Sequence, residues 1–204
     1  MNDDSSERDQ GEMQPSTPEQ DEETLCPRIY VASLSDYNAG RLHGVWIDAW
    51  NDPEDIHDAI QAMLARSPEP GAEEWAIHDY EGFSLVPLTE FDPIESVQEI
   101  AHGIMEHGEA FAAWVAYAGR DEENLDPERF NEAYMGEWES FEAMAEDWLQ
   151  ECGVFTQIDD HISESLRPYV KVDIEQLARH MQIDMVSVPK PDGSGVWIFD
   201  PHRI

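Results

Sequence analysis

The chain has 204 residues and carries 46 Asp or Glu against 11 Lys or Arg, a formal net charge of -35. Like charges raise the barrier to approach, so this balance argues against binding free nucleic acid or an anionic membrane and for a strongly cationic partner. With 41 % hydrophobic and 10 % aromatic residues there is enough apolar side chain for packed cores, which excludes a purely disordered acidic tail. No apolar run nears the ~18 residues a membrane span needs, and the N-terminus lacks a basic segment followed by an apolar one, so a soluble, cytoplasmic protein is expected. Cys26 and Cys152 stand far apart without a CxxC partner, as reduced thiols would.

Residues 1–26 are rich in Asp, Glu, Ser, Gln and Pro with almost nothing to bury and read as a disordered acidic arm. Order is expected from Arg28: RIYVAS is a short β-branched and aromatic strand, a Ser, Asp, Asn and Gly loop follows through Gly40, and GVWIDAW forms a second strand. Asp52 as N-cap and Pro53 at N1 start a helix with Ile56, Ala59, Ile60, Met63 and Leu64 on one face, closed by SPEPG. A third strand, EWAIHDY, completes a unit of three strands and a helix over 27–91. Asp92-Pro93 and Asp126-Pro127 each open a further helical pattern, and AFAAWVAYAG between them has helical spacing, so 92–153 reads as helical. Towards the C-terminal end, Asp173 caps a helix with Ile174, Leu177, Ala178 and Met181 on its face, and MVSVPKPDGSGVWIFD reads as a terminal hairpin whose loop is turn chemistry.

The densest interleaving of acid and aromatic residues lies between Asp121 and Gly153. After Ser140, a plausible N-cap, apolar residues fall at Phe141, Met144, Ala145, Trp148, Leu149 and Cys152, and Gly153 can end the helix. Its other side carries Glu142, Glu146, Asp147 and Glu151. At ~1.5 Å per residue these four charges span about 13.5 Å, a linear charge density comparable with that of a single DNA strand at ~3.4 Å per phosphate. A solvated helix face usually mixes both signs, whereas no Lys or Arg occurs between Arg129 and Arg167. Residues 93–153 hold 16 acids and 2 bases, while 154–204 hold 8 and 5, so the last quarter can more easily meet a copy of itself.

Discrete chemistry is poorly supported. HGIMEH, from His102, has one residue too many for an inverted zinc-protease motif, and DEENLDPERF, from Asp121, lacks the Gly and Glu of a calcium-binding loop. Pairs such as Glu73 and Glu74 or Asp159 and Asp160 are expected by chance in so acidic a chain, and no GxSxG, P-loop or GxGxxG occurs. No enzyme activity, metal or cofactor is therefore expected.

Several stretches, in order, resemble the antirestriction protein ArdA family of acidic DNA mimics: Tyr30-Val31, Tyr37 to Gly40, Gly44 to Asp48, Ile77 to Phe83, and Phe130, Ala133, Tyr134, Gly136, Trp138 and Ser140. AEDWLQECGVF, Ala145 to Phe155, resembles the family's antirestriction motif, and Tyr169-Val170 with Ala178-Arg179 a later block, although Lys171 stands where the family tends to have an acid. The resemblance covers roughly residues 28–204. It implies an elongated α+β chain of three small domains: the N-terminal sheet and helix over 27–91, a helical middle over 92–130, and over 131–204 an α+β dimerisation domain with the terminal hairpin. The target would be a type I restriction-modification enzyme, its methyltransferase and specificity core occupied in the DNA groove and restriction blocked, with modification exposed to the same block. The surface offered to it would comprise Asp121, Glu122, Glu123, Asp126, Glu128, Glu132, Glu137, Glu139, Glu142, Glu146, Asp147 and Glu151, and a homodimer would form with Trp148, Leu149 and Phe155 in or near the contact. Composition alone equally supports a general acidic binder or chaperone for basic proteins, whereas a salt-adapted source would spread charge evenly, unlike the segment values above.

Overall fold

In a computed structural model of the protein, residues 26–203 are described. The expected acidic arm therefore lies outside the described residues, apart from Cys26. The fold is α+β, with two three-stranded antiparallel sheets among helices. The first sheet has the order β2-β1-β3, built from β1 (Arg28–Ser33), β2 (Gly44–Asp48) and β3 (Trp75–Glu81). Ile29 lies opposite Ile47 and Val31 opposite Ile77, and these alternate residues are buried. Against them pack Ile56, Ile60, Met63 and Leu64 of α2 (Pro53–Leu64), the face expected from their spacing. Full burial of one such aliphatic side chain stabilises by roughly 1.5–3 kcal/mol.

Two features of this part differ from expectation. The polar segment after β1 is not all loop: α1 (Leu34–Asn38) forms because the Ser33 hydroxyl accepts from the Asp36 N–H. Asp36 is then buried where Ser67 donates to its carboxylate and Arg41 lies 3.4 Å away. Asp52 precedes α2 as expected, but its side chain makes no capping hydrogen bond.

The helices that follow are α3 (Ile94–His107), α4 (Glu109–Ala118), α5 (Glu122–Leu125) and α6 (Pro127–Ala133). Asp126 caps α6 by accepting from the Glu128 N–H. Asp92 does not cap α3, where Pro93 holds the cap position. Its carboxylate is taken by Thr89, through backbone N–H and hydroxyl, and by Arg120 at 2.5 Å. Trp114 donates to the Asn124 carbonyl and Asn124 to that of Ala118, which pins α5 to the end of α4.

The helical stretch is interrupted at β4 (Tyr134–Trp138), which joins β6 (Val196–Phe199), itself paired with β5 (Val186–Pro189). Five residues with a central Gly136 and a register shift have little strand signature of their own. Their partner far along the chain decides their state. α7 (Phe141–Glu151), α9 (Ile174–Met181) and the β5-β6 hairpin follow the sequence reading, with the side-chain oxygens of Ser140 and Asp173 accepting from the Ala143 and Gln176 N–H groups as caps. Between them Gly153, at φ 67°, turns the chain directly into an unexpected helix, α8 (Val154–His161).

The division at 91/92 and 130/131 remains a sequence expectation, because one buried cluster crosses both positions. It runs from Ile29 and Val31 through Ile100, Phe111, Trp114 and Phe130 to Trp197 and Phe199. A smaller cluster joins Phe141, Met144 and Ala145 of α7 to Ala178 of α9 and Ile198 of β6.

Candidate functional site

The stretch 121–151 supplies carboxylates from four successive elements, each held by its own packing. Leu125 anchors α5, Phe130 and Ala133 anchor α6, and β4 is paired with β6. α7 turns Phe141, Met144, Ala145 and Leu149 inward. With the apolar positions so fixed, the acids must face outward, and Asp121, Glu122, Glu123, Asp126, Glu128, Glu132, Glu137, Glu139, Glu142, Glu146, Asp147 and Glu151 are all exposed.

Few of them meet a cation. Glu123 pairs with Arg129 at 3.0 Å and Glu137 with Lys190 at 2.7 Å, while the other ten have no ion-pair partner among the described residues. Asp126 is engaged in the α6 cap, and the Trp138 indole N–H donates to Asp147 at 3.4 Å. Bases are largely used elsewhere: Arg28 sits over the Trp46 ring and pairs with Glu81, Arg120 clasps Asp92, and Lys190 also stands over Trp197. The surface thus keeps most of its negative charge uncompensated.

The acidic exposure also extends to helices that the sequence reading left out. Glu54, Asp55 and Asp58 on α2 and Glu95, Glu99 and Glu106 on α3 are exposed, and these two helices pack together. The four-residue step from Glu95 to Glu99 was the available signal, since it continues the polar side of an apolar face.

The three proposed contact residues are not equivalent. Trp148 is 44 % and Phe155 36 % exposed, while Leu149 is 5 % exposed and belongs to the interior of its own subunit. Trp148 and Cys152, placed by spacing on the inward face of α7, are thus outside it. Both lie near the C-terminal end of the helix, where the packed face has run out. From Cys152 to Lys171 no residue is buried, although the segment includes Val154, Phe155, Ile158, Ile162, Leu166, Tyr169 and Val170.

No group of three or more His, Cys, Asp or Glu among the described residues could hold a metal ion. The acids of 121–130 are spread over α5 and α6 instead of converging on a loop. His102 is exposed beside Glu106, whereas His107 is wedged against Phe111 and Phe130. A groove of about 1120 Å³ mixes signs: Arg28, Glu81, Glu137 and Lys190 line it, Arg28 paired with Glu81 and Lys190 with Glu137. No helix among the described residues is long and apolar enough to cross a membrane.

A model of the family described as antirestriction protein (ArdA) matches residues 29–193. The chain belongs to the ArdA antirestriction family. No curated protein matches it in a direct sequence comparison. ArdA membership bears out the resemblance read from the dispersed aromatic and acidic stretches, and it makes antirestriction the function, with restriction-modification enzymes as the class of target. The matched span includes all twelve acids of the candidate surface together with Trp148 and Phe155.

Proposed function

We propose that this ArdA protein is a DNA mimic: its carboxylates occupy the DNA-binding groove of a type I restriction-modification enzyme and block restriction, with modification blocked where it depends on the same groove. The observation that carries this reading is the run of twelve exposed acids over 121–151, ten of them without a cationic partner among the described residues. Carboxylates at phosphate-like density would sit opposite Lys and Arg of the enzyme, release its counterions and offer charge-assisted hydrogen bonds with no bond to cleave. Competition is the test. Raising the concentration of cognate duplex DNA should relieve inhibition of a type I enzyme; inhibition indifferent to DNA, or covalent change in the DNA, would rule the mimic out.

The same reading includes a homodimer formed through the C-terminal part. Its support is the segment 152–171, whose apolar residues, Phe155 among them, are not buried within one subunit, next to exposed Trp148. Residues 154–204 are also the least charged part of the chain, so two copies repel least there. Light scattering should give twice the monomer mass for the wild type and the monomer mass for Trp148→Glu/Phe155→Glu. An unchanged dimer would move the contact elsewhere. Leu149→Glu is the wrong probe, because a charge at that buried position would unfold the subunit by a few kcal/mol before reporting on assembly.

A further inference from the structure

A second kind of feature lies outside the 121–151 surface. Between β3 and α3 the chain exposes a phenylalanine, Phe91, at 69 %. It is held there by a rigid turn: the Ile77 N–H donates to the Glu90 carbonyl, and Asp92 binds Thr89 twice and Arg120 once. Phe91 and Trp75, with Pro93 and Ile94, form the walls of a cavity of about 280 Å³. His57 of α2 and Glu95 of α3, which approach each other to 3.7 Å, also line it.

Three properties define what would fit. The volume lies just below the ~300–1,000 Å³ of pockets that enclose a whole small molecule, so the occupant has the size of a side chain. The walls include two aromatic rings, suited to a flat or cationic group. The surroundings are negative: Glu95 is a lining residue, Asp92, which also lines the pocket, is already neutralised by Arg120, and exposed Glu73, Glu74 and Glu90 are chain neighbours of the two rings. Aromatic and apolar walls with a carboxylate among the lining groups suit a guanidinium, which stacks on aromatic rings and binds carboxylates through paired N–H groups.

We propose that the Trp75–Phe91 pocket is an anchoring site for one arginine side chain of the basic protein that this chain inhibits. The inference rests on the mimic reading for the partner's identity, and it differs from that reading in kind. The acidic run works by many small, interchangeable contacts, whereas this pocket takes a single residue into a shaped cavity. Exposed aromatic side chains in such pockets are where binding energy concentrates in protein interfaces. The pocket would also set the register of the partner along the acidic surface, which evenly spaced charges alone do not do.

The test uses the full chain labelled with ¹⁵N and titrated with Nα-acetyl-arginine amide, with the citrulline analogue as an uncharged control of nearly the same shape. Saturable shifts of the Trp75 indole N–H and the Phe91 and Glu95 amides are expected with the arginine compound, absent with citrulline and lost in Phe91→Ala. Shifts spread evenly over exposed acids, or equal with citrulline, would overturn the proposal. A second arm measures binding to the methyltransferase core of a type I enzyme. Phe91→Ala should weaken it by about tenfold or more, as expected at a hot spot. Glu95→Gln, a substitution that leaves both rings in place, should weaken it in the same direction. The variant carrying Glu142→Gln, Glu146→Gln, Asp147→Asn and Glu151→Gln separates the two readings. If that variant binds weakly while Phe91→Ala binds as wild type, the pocket is refuted and the mimic stands; if neither weakens, both are refuted.

Discussion

At Gly103 the backbone of α3 passes so close to the Phe111 ring that a Cβ there would lie 2.2 Å from Cε1. Phe111 is fully buried and braced by His107 and Phe130, so the ring has nowhere to retreat. An alanine in a helix normally gains up to ~1 kcal/mol over glycine, but overpacking costs ~1–3 kcal/mol, and at this distance the cost should win. Gly103→Ala is therefore expected to lower the urea midpoint with an unchanged slope; a higher midpoint would show that the α3–α4 packing yields. Two carboxylates give the fold an acid limit. The hydrogen bond from Ser67 is the main cause that holds Asp36 below the ordinary carboxylate range, against the opposing effect of its burial. Burial is the largest influence on Asp92 and pushes upward, but the Thr89 bonds and Arg120 together outweigh it, so that group too is lowered. With folded pKa values below the unfolded ones, their contribution is present above about pH 4 and is lost as pH falls through the lowered values. Asp36→Asn/Asp92→Asn should flatten the acid limb of a stability profile, and a limb as steep as the wild type's would place the linkage on other groups.

The elements most legible in the sequence were those whose own periodicity or caps decide them. α2, α7 and α9 carry apolar residues at helical spacing behind Asp or Ser starts, and β1 to β3 are short apolar runs between turn residues. What stayed hidden depends on distant partners or on absent ones. β4 is a strand because β6 pairs with it, α1 forms around a buried Asp36, and α8 buries none of its side chains in the subunit. The acids of the candidate surface were legible because a fixed apolar face forces them outward, but Phe91 was not, since its exposure comes from the turn around Asp92. For α7 the mimic reading makes a prediction at this scale. Each exposed carboxylate in a wet, salt-screened groove should contribute ~0.2–1 kcal/mol, so Glu142→Gln, Glu146→Gln, Asp147→Asn or Glu151→Gln alone should weaken inhibition less than about tenfold. Combined changes should weaken it in proportion to charge removed. If any one of them abolished inhibition with a native circular dichroism spectrum, a discrete site around that residue would replace distributed mimicry.

Over the whole molecule, a net charge of -35 acts on folding and on partner binding with opposite signs. Self-repulsion opposes the compact state, so added salt at pH 7 should raise the thermal midpoint, while the same salt weakens the complex with a basic enzyme. Calorimetry and an inhibition titration over one salt series check both; curves moving in the same direction would mean that apolar contact dominates the interface. The buried cluster that joins both sheets has a further consequence, for the chain as it is being made. Trp114 on α4 and Phe130 on α6 are covered in part by Phe199 of β6, which the ribosome adds long after the helices themselves. At ~5–20 residues per second these rings stay uncovered for several seconds, so the nascent helical segment is the stage at which this protein is most open to aggregation and to chaperones.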